Sequence, residues 1–232
     1  MPTAVELDPD LAWKDGPDTG LRSRYTGYPL KPGEMVITIV SQGTFVLGHQ
    51  VIVFEWGHGF ESTASYRKHK AFHLYPVRGQ SAAPHELGLT GSAWNVVDGR
   101  IERLRAMVPK HSDGTSRGPE FAASELAATE SDFMKGAQYR SWKVDFSEGW
   151  KAFEEAKKQW KNADLTPKFN LIGSFGGQSC GTWVQAIASI AGIPSTSWAA
   201  KLGFPIPAWE VYNCQEVKSE TEMWDSRKKQ TA

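Results

Sequence analysis

One stretch of the chain, residues 169–194 (FNLIGSFGGQSCGTWVQAIASIAGIP), joins a glycine-rich loop to an apolar helix. Gly192 and Pro194 at its far end are typical of a helix stop. The spacing therefore predicts a helix over residues 181–191, with Cys180 in its first turn. Apolar residues recur there at the period of a helix with one buried face: Trp183, Val184, Ile187, Ala188 and Ala191.

The position of Cys180 favours a reactive thiol. Gly176 and Gly177 permit backbone angles that other residues avoid, and the polar Gln178 and Ser179 follow, so the chain turns sharply before the helix. At a helix start, unpaired backbone N–H groups and the positive end of the helix dipole favour the thiolate, which is the nucleophilic form of cysteine. We therefore expect Cys180 to be a nucleophile. The alternative is a small, buried apolar residue.

The composition is that of one globular domain. The chain has 232 residues and a 40% hydrophobic content, which is enough to bury a sizeable core. Its formal net charge is zero, so we expect neither a nucleic-acid partner nor an anionic membrane surface. The ten tryptophans either line a groove for sugars or peptides or fill the core.

Cysteine use and the N-terminal sequence set the expected compartment. Cys180 and Cys214 are the only cysteines, and we expect reduced thiols because a bridge would consume the candidate nucleophile. The N-terminal residues MPTAVELDPDLAWKDG contain no basic segment leading into an apolar run, so no signal peptide is expected. No apolar run has membrane-spanning length. The expected product is cytoplasmic, and any export would use a leaderless secretion system.

The N-terminal half predicts an antiparallel sheet. Residues 1–33 are rich in proline and polar residues and are predicted to form an irregular arm. A polar loop that includes His58 and His69 is predicted over residues 57–70. Short connections favour an antiparallel meander. β-branched and apolar runs predict its three strands at Met35–Gln42, Leu47–Trp56 and Ala71–Val77.

The rest of the chain predicts an α+β fold, in which the meander sheet packs against helices. One domain is expected over residues 34–215, followed by a polar tail at 216–232, and residues 78–138 form either specificity loops or a lid. The predicted elements are a strand at Ala93–Val97, a helix from Asp98 through Ile101, Leu104 and Met107, a short helix at Phe121–Ala128, a strand at Tyr139–Phe146, a helix capped by Ser147 and ending near Asn162, and a strand within residues 209–217.

A thiol nucleophile needs a base, and His49 is the best placed histidine. It follows Gly48 at the start of a predicted strand, where a side chain can project into a cleft. His73 lies on the next predicted strand, so strand pairing would bring the two histidines together. We expect Cys180 to attack, His49 to carry the proton and His73 to orient the His49 ring. The other histidines, at positions 58, 69, 85 and 111, are predicted in loops, and the alternatives to His73 are Glu55, Tyr75 and Gln80.

This order of segments resembles the circularly permuted papain-like cysteine hydrolases, a group that includes permuted NlpC-type cell-wall amidases and relatives of lecithin retinol acyltransferase. In such proteins the histidine precedes the cysteine, as His49 precedes Cys180 here. The matching segments are residues 48–56 (GHQVIVFEW), 72–76 (FHLYP), 145–160 (DFSEGWKAFEEAKKQW) and 169–194.

The resemblance implies a cysteine hydrolase that cleaves an amide through a thioester, with no cofactor and no metal. The oxyanion is expected to be held by the backbone N–H of Cys180, with Gln178 and Trp183 as further oxyanion or substrate contacts. The sequence contains no HExxH, CxxC or phosphate-binding glycine motif.

Substrate and partners follow from the same resemblance. It favours a peptidoglycan peptide bond, cleaved by a bacterial toxin or effector that an immunity or inhibitor protein can block. Two alternatives stay open. One is a lipid acyl hydrolase or acyltransferase on the same scaffold, and the other is a non-catalytic module whose tryptophans bind a glycan or protein.

Overall fold

The protein combines an antiparallel sheet with two helices packed on one of its faces. The strands are β1 (Val5–Leu7), β2 (Glu34–Gln42), β3 (His49–His58), β4 (Tyr66–Pro76), β5 (Gly99–Leu104), β6 (Gln138–Asp145) and β7 (Gln215–Glu216), and the helices are α1 (Phe146–Lys161) and α2 (Cys180–Ile190), with a 3₁₀ turn at Ala163–Leu165. The computed structural model describes residues 4–7, 21–23, 26–42, 49–59, 66–77, 96–104, 138–170, 176–194 and 215–216.

The sheet has the strand order β1-β6-β2-β3-β4-β5, and β7 also pairs with β6. All of these pairs are antiparallel. The register between β2 and β3 is unbroken from Val36↔Glu55 to Gln42↔His49. The predicted meander and the α+β class are therefore confirmed, while the return of β6 to pair with β2 adds a long-range contact that the sequence did not predict.

The core lies between the sheet and the two helices. Side chains alternate along a strand, so Ile52, Phe54 and Trp56 of β3 share one face, and this face packs on α1 and α2. The Phe153 ring of α1 lies at its centre, with its centroid 5.6 Å from that of Phe54 and 5.3 Å from that of Trp56. Aromatic side chains bury large areas in such edge-to-face contacts, so this layer dominates the packing.

The opposite face of the sheet is covered in part by the N-terminal region. Tyr28 and Leu30 pack with Val36 of β2 and Leu7 of β1 in a second apolar cluster. Coverage on both faces explains why the middles of β2 and β3 carry apolar residues at consecutive positions, Met35–Ile37 and Val51–Phe54. Val5–Leu7 pairs with β6 as a strand, so the prediction of an irregular arm is wrong for these residues.

Helix α1 differs from the prediction at its start. Asp145 is the N-cap residue, and its side chain makes no capping hydrogen bond, while Ser147 is exposed inside the first turn. The backbone N–H of Phe146 donates to Gly33 O at 2.8 Å, which joins the helix start to the turn before β2. The predicted cap at Ser147 is therefore wrong, and the predicted end near Asn162 is confirmed.

Strand β4 begins earlier than predicted. The polar run YRKHK, predicted as a loop, pairs with the second half of β3 from Glu55↔His69 to His58↔Tyr66. His69 Nδ1 lies 3.2 Å from Glu55 Oε1, and the buried Glu55 carboxylate also accepts a 2.7 Å hydrogen bond from Ser23 Oγ. His58 and His69 therefore lie in strands rather than loops, because a partner strand and a buried carboxylate outweigh the polar composition.

The helix predicted from Asp98 to Met107 is wrong. Gly99–Leu104 forms β5 and pairs with β4, including Leu74↔Ile101. The i, i+3 spacing of Ile101 and Leu104 suits a helix, but backbone pairing with β4 decides the conformation of so short a segment. Several predictions lie outside the described residues: most of the strand at Ala93–Val97, the helix at Phe121–Ala128, His85, His111 and most of the C-terminal tail.

Gly149 supplies a test of how α1 packs. A Cβ atom at this position would lie 2.7 Å from Met35 Sδ and 3.0 Å from Val144 Cγ2. Alanine is the better helix former, yet we expect Gly149→Ala to lower the free energy of unfolding by about 1–3 kcal/mol, because the added methyl overpacks the contact with the sheet.

Urea unfolding measures this change as a lower midpoint at an unchanged m-value. Ser147→Ala, an exposed change in the same helix, serves as the control and should stay within about 0.5 kcal/mol. A Gly149→Ala protein more stable than the parent would contradict the close contact between α1 and β2.

Candidate functional site

Helix α2 begins at Cys180, one residue before the predicted start. Ser179 is its N-cap residue, and the Ser179 Oγ accepts a 3.1 Å hydrogen bond from the Thr182 N–H. This contact satisfies one N–H of the first turn and sets the direction in which the chain enters the helix. At the far end Gly192 has a φ of 74°, a conformation that favours glycine, so the predicted stop is confirmed.

The approach to Cys180 is held by backbone pairing. Gln178 N–H donates to Lys168 O at 2.8 Å, and Asn170 N–H donates to Gln178 O at 3.0 Å. Gly176 has a φ of 86°, and a Cβ at Gly177 would lie only 2.6 Å from the Asn170 Cβ. The two glycines are therefore needed for different reasons, one for its backbone angle and the other for close approach.

Three backbone N–H groups surround the sulfur of Cys180. The N–H of Gln50, at the start of β3, donates to Sγ at 3.4 Å. The N–H groups of Cys180 and Gly181, both in the first turn of α2, also act to lower the pKa of the thiol. The side chain itself is only 5% exposed. The start of α2 and the start of β3 thus meet at the Cys180 sulfur.

Burial decides the protonation of this thiol. Desolvation raises the pKa of Cys180 from 9.0 to about 11, although the three N–H contacts act to lower it. The expectation that the helix start favours the thiolate is therefore wrong in its net direction. The donors are present, but the loss of hydration outweighs them. At neutral pH the resting group is a thiol, and its reaction with a carbonyl requires a base.

His49 begins β3, directly before Gln50, and its backbone pairs with Gln42 of β2. Its side chain lies outside the described part of the chain. The position is nevertheless bounded, because Gln50 N lies 3.4 Å from Sγ and two covalent bonds join that nitrogen to the His49 Cα. Adding about 2.4 Å for those bonds places the His49 Cα within about 6 Å of the sulfur. The structure therefore brings Cys180 and the backbone of His49 together.

His73 lies elsewhere. Its neighbours Phe72 and Leu74 belong to the core that packs on α2, and side chains alternate along β4, so His73 occupies the opposite face of the sheet. There it is 6% exposed, with its ring centroid 5.9 Å from that of Tyr75. By the same alternation, position 49 of β3 falls on that face too, because Gln50 shares its face with Ile52 and Phe54. The face of the sheet therefore does not favour His49 over His73. What sets His49 apart is its backbone, which lies within about 6 Å of the sulfur.

The alternatives to His73 are Glu55, Tyr75 and Gln80, and they differ in their position along the strands relative to His49. β3 and β4 pair from Ile52↔Phe72 to His58↔Tyr66, so His49 and Tyr75 both lie beyond the paired part, at the same end of the two strands. Glu55 lies six residues from His49 along β3, a distance of about 20 Å. Gln80 lies outside the described residues. Of the two candidates in the described residues, only Tyr75 lies at the same strand end as His49.

Gln178 and Trp183 line a cavity of about 490 Å³ between α1 and α2. Trp183 is 1% exposed, and its indole N–H donates to Gln159 Oε1 at 2.8 Å. Both side chains line this cavity, and this placement gives their predicted role as oxyanion contacts no support.

Most of the described tryptophans are core residues. Trp56, Trp142 and Trp183 are buried, whereas Trp150 and Trp160 on α1 are 36% and 38% exposed. Trp150 packs on the Phe146 ring, at 5.4 Å between centroids, and Trp160 packs on Phe72 at 6.1 Å. These five residues do not line a shared groove with Cys180.

The sequence did not predict the contact between the Gln50 backbone and the Cys180 sulfur. It touches the sulfur through a backbone N–H, which every residue except proline carries, so no residue type could have marked it. Glu155 and Gln159, which line the cavity beside Trp183, were also missed because their helix face reads as ordinary solvated surface.

Comparison with protein-family models, with curated proteins and with solved structures gives no match to this chain. No helix in the described segments has the length and apolar character needed to cross a membrane. Within those same segments, no three histidine, cysteine, aspartate or glutamate side chains are grouped so as to hold a metal ion. Function is therefore inferred from the residues around Cys180.

The raised pKa of Cys180 predicts slow alkylation at neutral pH. In a Cys214→Ser protein, only Cys180 can react with iodoacetamide. With a pKa of about 11, the rate should climb about tenfold per pH unit between pH 7 and 10 and level off only near pH 11. In urea the plateau should move to the ordinary thiol range of about 8.5. A plateau at or below pH 8.5 in the folded protein would contradict burial as the dominant effect.

The same shift predicts a stability change at alkaline pH. The folded pKa is higher than the unfolded one, so the folded state holds its proton more tightly and loses stability as pH rises from 9 through about 11. The loss is expected to be about 2 to 3 kcal/mol in the parent protein. Cys180→Ala should lack it, and equal alkaline losses in the two proteins, measured by urea unfolding, would refute the shift.

Proposed function

We propose that the protein is a cysteine hydrolase in which Cys180 attacks a carbonyl carbon and His49 carries the proton. The observation that supports this most directly is the 3.4 Å contact from the Gln50 N–H to the Cys180 sulfur. This one contact brings a backbone donor to the reacting atom and limits the distance to His49 at the same time. The resemblance to permuted papain-like hydrolases supports the same pair of residues.

The first half of the reaction forms a thioester. His49 removes the proton from the Cys180 thiol as the sulfur bonds to the carbonyl carbon, and the carbonyl π electrons move to oxygen. Backbone N–H groups of the first helical turn are the donors available to the resulting oxyanion. When the intermediate collapses, the C–N bond breaks and the leaving amine takes the proton from His49.

The second half releases the acyl group. Water gives a proton to His49 and attacks the thioester carbonyl, the C–S bond breaks, and the proton returns to the sulfur. Because the resting thiol is neutral, with a pKa of about 11, the base is needed in every turnover. This differs from a mechanism that starts from a stable thiolate, in which the base would matter mainly for the leaving group.

Tyr75 is proposed as the residue that supports His49. It is 42% exposed, and it lies at the same end of the β3–β4 pair as His49, beyond the last paired residues Ile52 and Phe72. His73, on the same strand face two residues away, contacts Tyr75 and is assigned a packing role. A phenol oxygen can accept a hydrogen bond from an imidazole N–H, so a tyrosine is chemically suited to hold the ring.

The proposed substrate is an amide, with a peptidoglycan peptide bond as the first candidate. That choice rests on the resemblance to the permuted NlpC-type amidases, which favours a role as a bacterial toxin or effector. A lipid ester is the alternative acyl substrate on the same scaffold. A thioester forms from either class, so the detection of an acyl-enzyme does not depend on the choice.

A second candidate function is a binding module without catalysis. The burial of Cys180, at 5% exposure, and its raised pKa favour this possibility, because both are typical of a cysteine that serves only in packing. In that case Cys180→Ala retains every activity of the protein. The two candidates therefore give opposite results for the same variant.

The hydrolase proposal predicts an acyl-enzyme on Cys180. Incubation with peptidoglycan fragments, and separately with activated acyl esters, should add the mass of the acyl group to the intact protein, and hydroxylamine should remove it. Cys180→Ala should abolish the adduct, and His49→Ala should slow its formation at pH 7 by about 100-fold or more.

His58→Ala is the matched control, since it removes the same side chain from the exposed opposite end of β3. It should react like the parent. If His49→Ala and His58→Ala give equal rates, His49 is not the base. An adduct that survives Cys180→Ala, or none from any acyl donor tested, would favour the binding module.

A further inference from the structure

A cavity of about 490 Å³ lies between α1 and α2, within the size range of small-molecule sites. Its apolar wall is formed by one face of α2, where Trp183, Ile187 and Ile190 follow each other along the helix. Its polar wall is one stripe of α1, where Lys151, Glu155 and Gln159 recur every four residues. All of the residues that line it belong to the described part of the chain.

The polar wall is held in a fixed arrangement. The buried indole N–H of Trp183 donates to Gln159 Oε1 at 2.8 Å, and Gln159 Nε2 in turn donates to Glu155 Oε1 at 2.9 Å. An amide whose oxygen and nitrogen are both engaged cannot rotate without losing a hydrogen bond. The Glu155 carboxylate is therefore oriented by a contact that begins in the core.

Within the described residues, the Glu155 carboxylate forms one ion pair with a lysine, and that pair is long. Lys151 Nζ lies 2.7 Å from Glu148 Oε1, so its charge is engaged there. Lys158 Nζ lies 3.8 Å from Glu155 Oε2, which is beyond hydrogen-bond distance. The carboxylate consequently keeps acceptor capacity for a charged donor.

Gln178 adds a second acceptor to the cavity lining. Its Oε1 atom is shielded from solvent and has no hydrogen-bond partner among the residues that the structure describes. Buried carbonyl oxygens in this condition are uncommon and costly, so a rotation of the Gln178 side chain that brings this atom to a donor in the cavity is favourable. Both acceptors favour a ligand that donates.

We propose that this cavity binds an aliphatic primary amine, with the ammonium group at Glu155 and Gln178 and the hydrocarbon stem along Ile187 and Ile190. An ammonium group has three N–H donors and no acceptor, which suits a cavity lined by both a carboxylate and an orphaned carbonyl. The apolar face of α2 suits the stem. The site is separate from the sulfur of Cys180, and its occupation does not depend on the hydrolase proposal.

Titration of the ¹⁵N-labelled full-length protein with n-hexylamine at pH 7 tests the site. The indole N–H resonance of Trp183 should shift and saturate at millimolar ligand, and 1-hexanol, of equal length but uncharged, should bind about tenfold more weakly. Equal affinities for the amine and the alcohol would overturn the proposed recognition of an ammonium group. A response that does not saturate would overturn the site itself. The same titration of Cys180→Ala should give an unchanged result.

Two variants and a matched control locate the binding. Glu155→Gln should weaken hexylamine binding about five- to tenfold while hexanol binding stays the same. Glu154→Gln changes the neighbouring glutamate, which pairs with Lys157 outside the cavity lining, and should bind like the parent. Ala186→Trp, an exposed position at the cavity wall, should block both ligands. If Glu155→Gln matches Glu154→Gln, or if Ala186→Trp still binds the amine, the site is refuted.

Discussion

The ring of Phe153 lies against Phe54, Trp56 and Phe72, and this contact holds helix α1 across the middle strands of the sheet. Helix α2 completes the same core, because Trp183, Val184 and Ile187 pack into the cluster that contains those rings. The start of α2 therefore lies where the sheet and α1 allow it. The position of Cys180 beside β3 follows from core packing as much as from the loop before it.

The position of Cys180 in the core raises the pKa of its thiol. A helix start that packs tightly enough to bring Gln50 N–H to the sulfur also excludes water from it, and the second effect is larger. The same burial therefore supplies backbone donors for an oxyanion and removes the stable thiolate. The proposed chemistry therefore needs a base, and it assigns this role to His49, whose backbone lies near the sulfur. The same packing builds the cavity between the helices, through the buried indole of Trp183.

The sequence predicted those elements whose local signals agree with their tertiary partners. Strands β2 and β3 are apolar and β-branched, and α2 combines an amphipathic period with a glycine stop, so local preference and burial point the same way. The polar segment Tyr66–Lys70 and the segment Gly99–Leu104 were misassigned because their strand conformation comes from pairing with β3 and β4 rather than from their own residues. The cap of α1 was misplaced by two residues, because a serine at the helix start looks like a cap whether or not its side chain bonds the backbone.

Residue types and spacing by themselves determined that the chain forms an α+β fold with an antiparallel meander, and that Cys180 lies at the start of an apolar helix. Those features depend on backbone preference and side-chain period, which are local. Only the tertiary structure decided that Gln50 N–H meets the sulfur, that His73 lies on the far face of the sheet, and that burial raises the Cys180 pKa. These depend on strand register and on exclusion of water, and both arise when distant segments pack together.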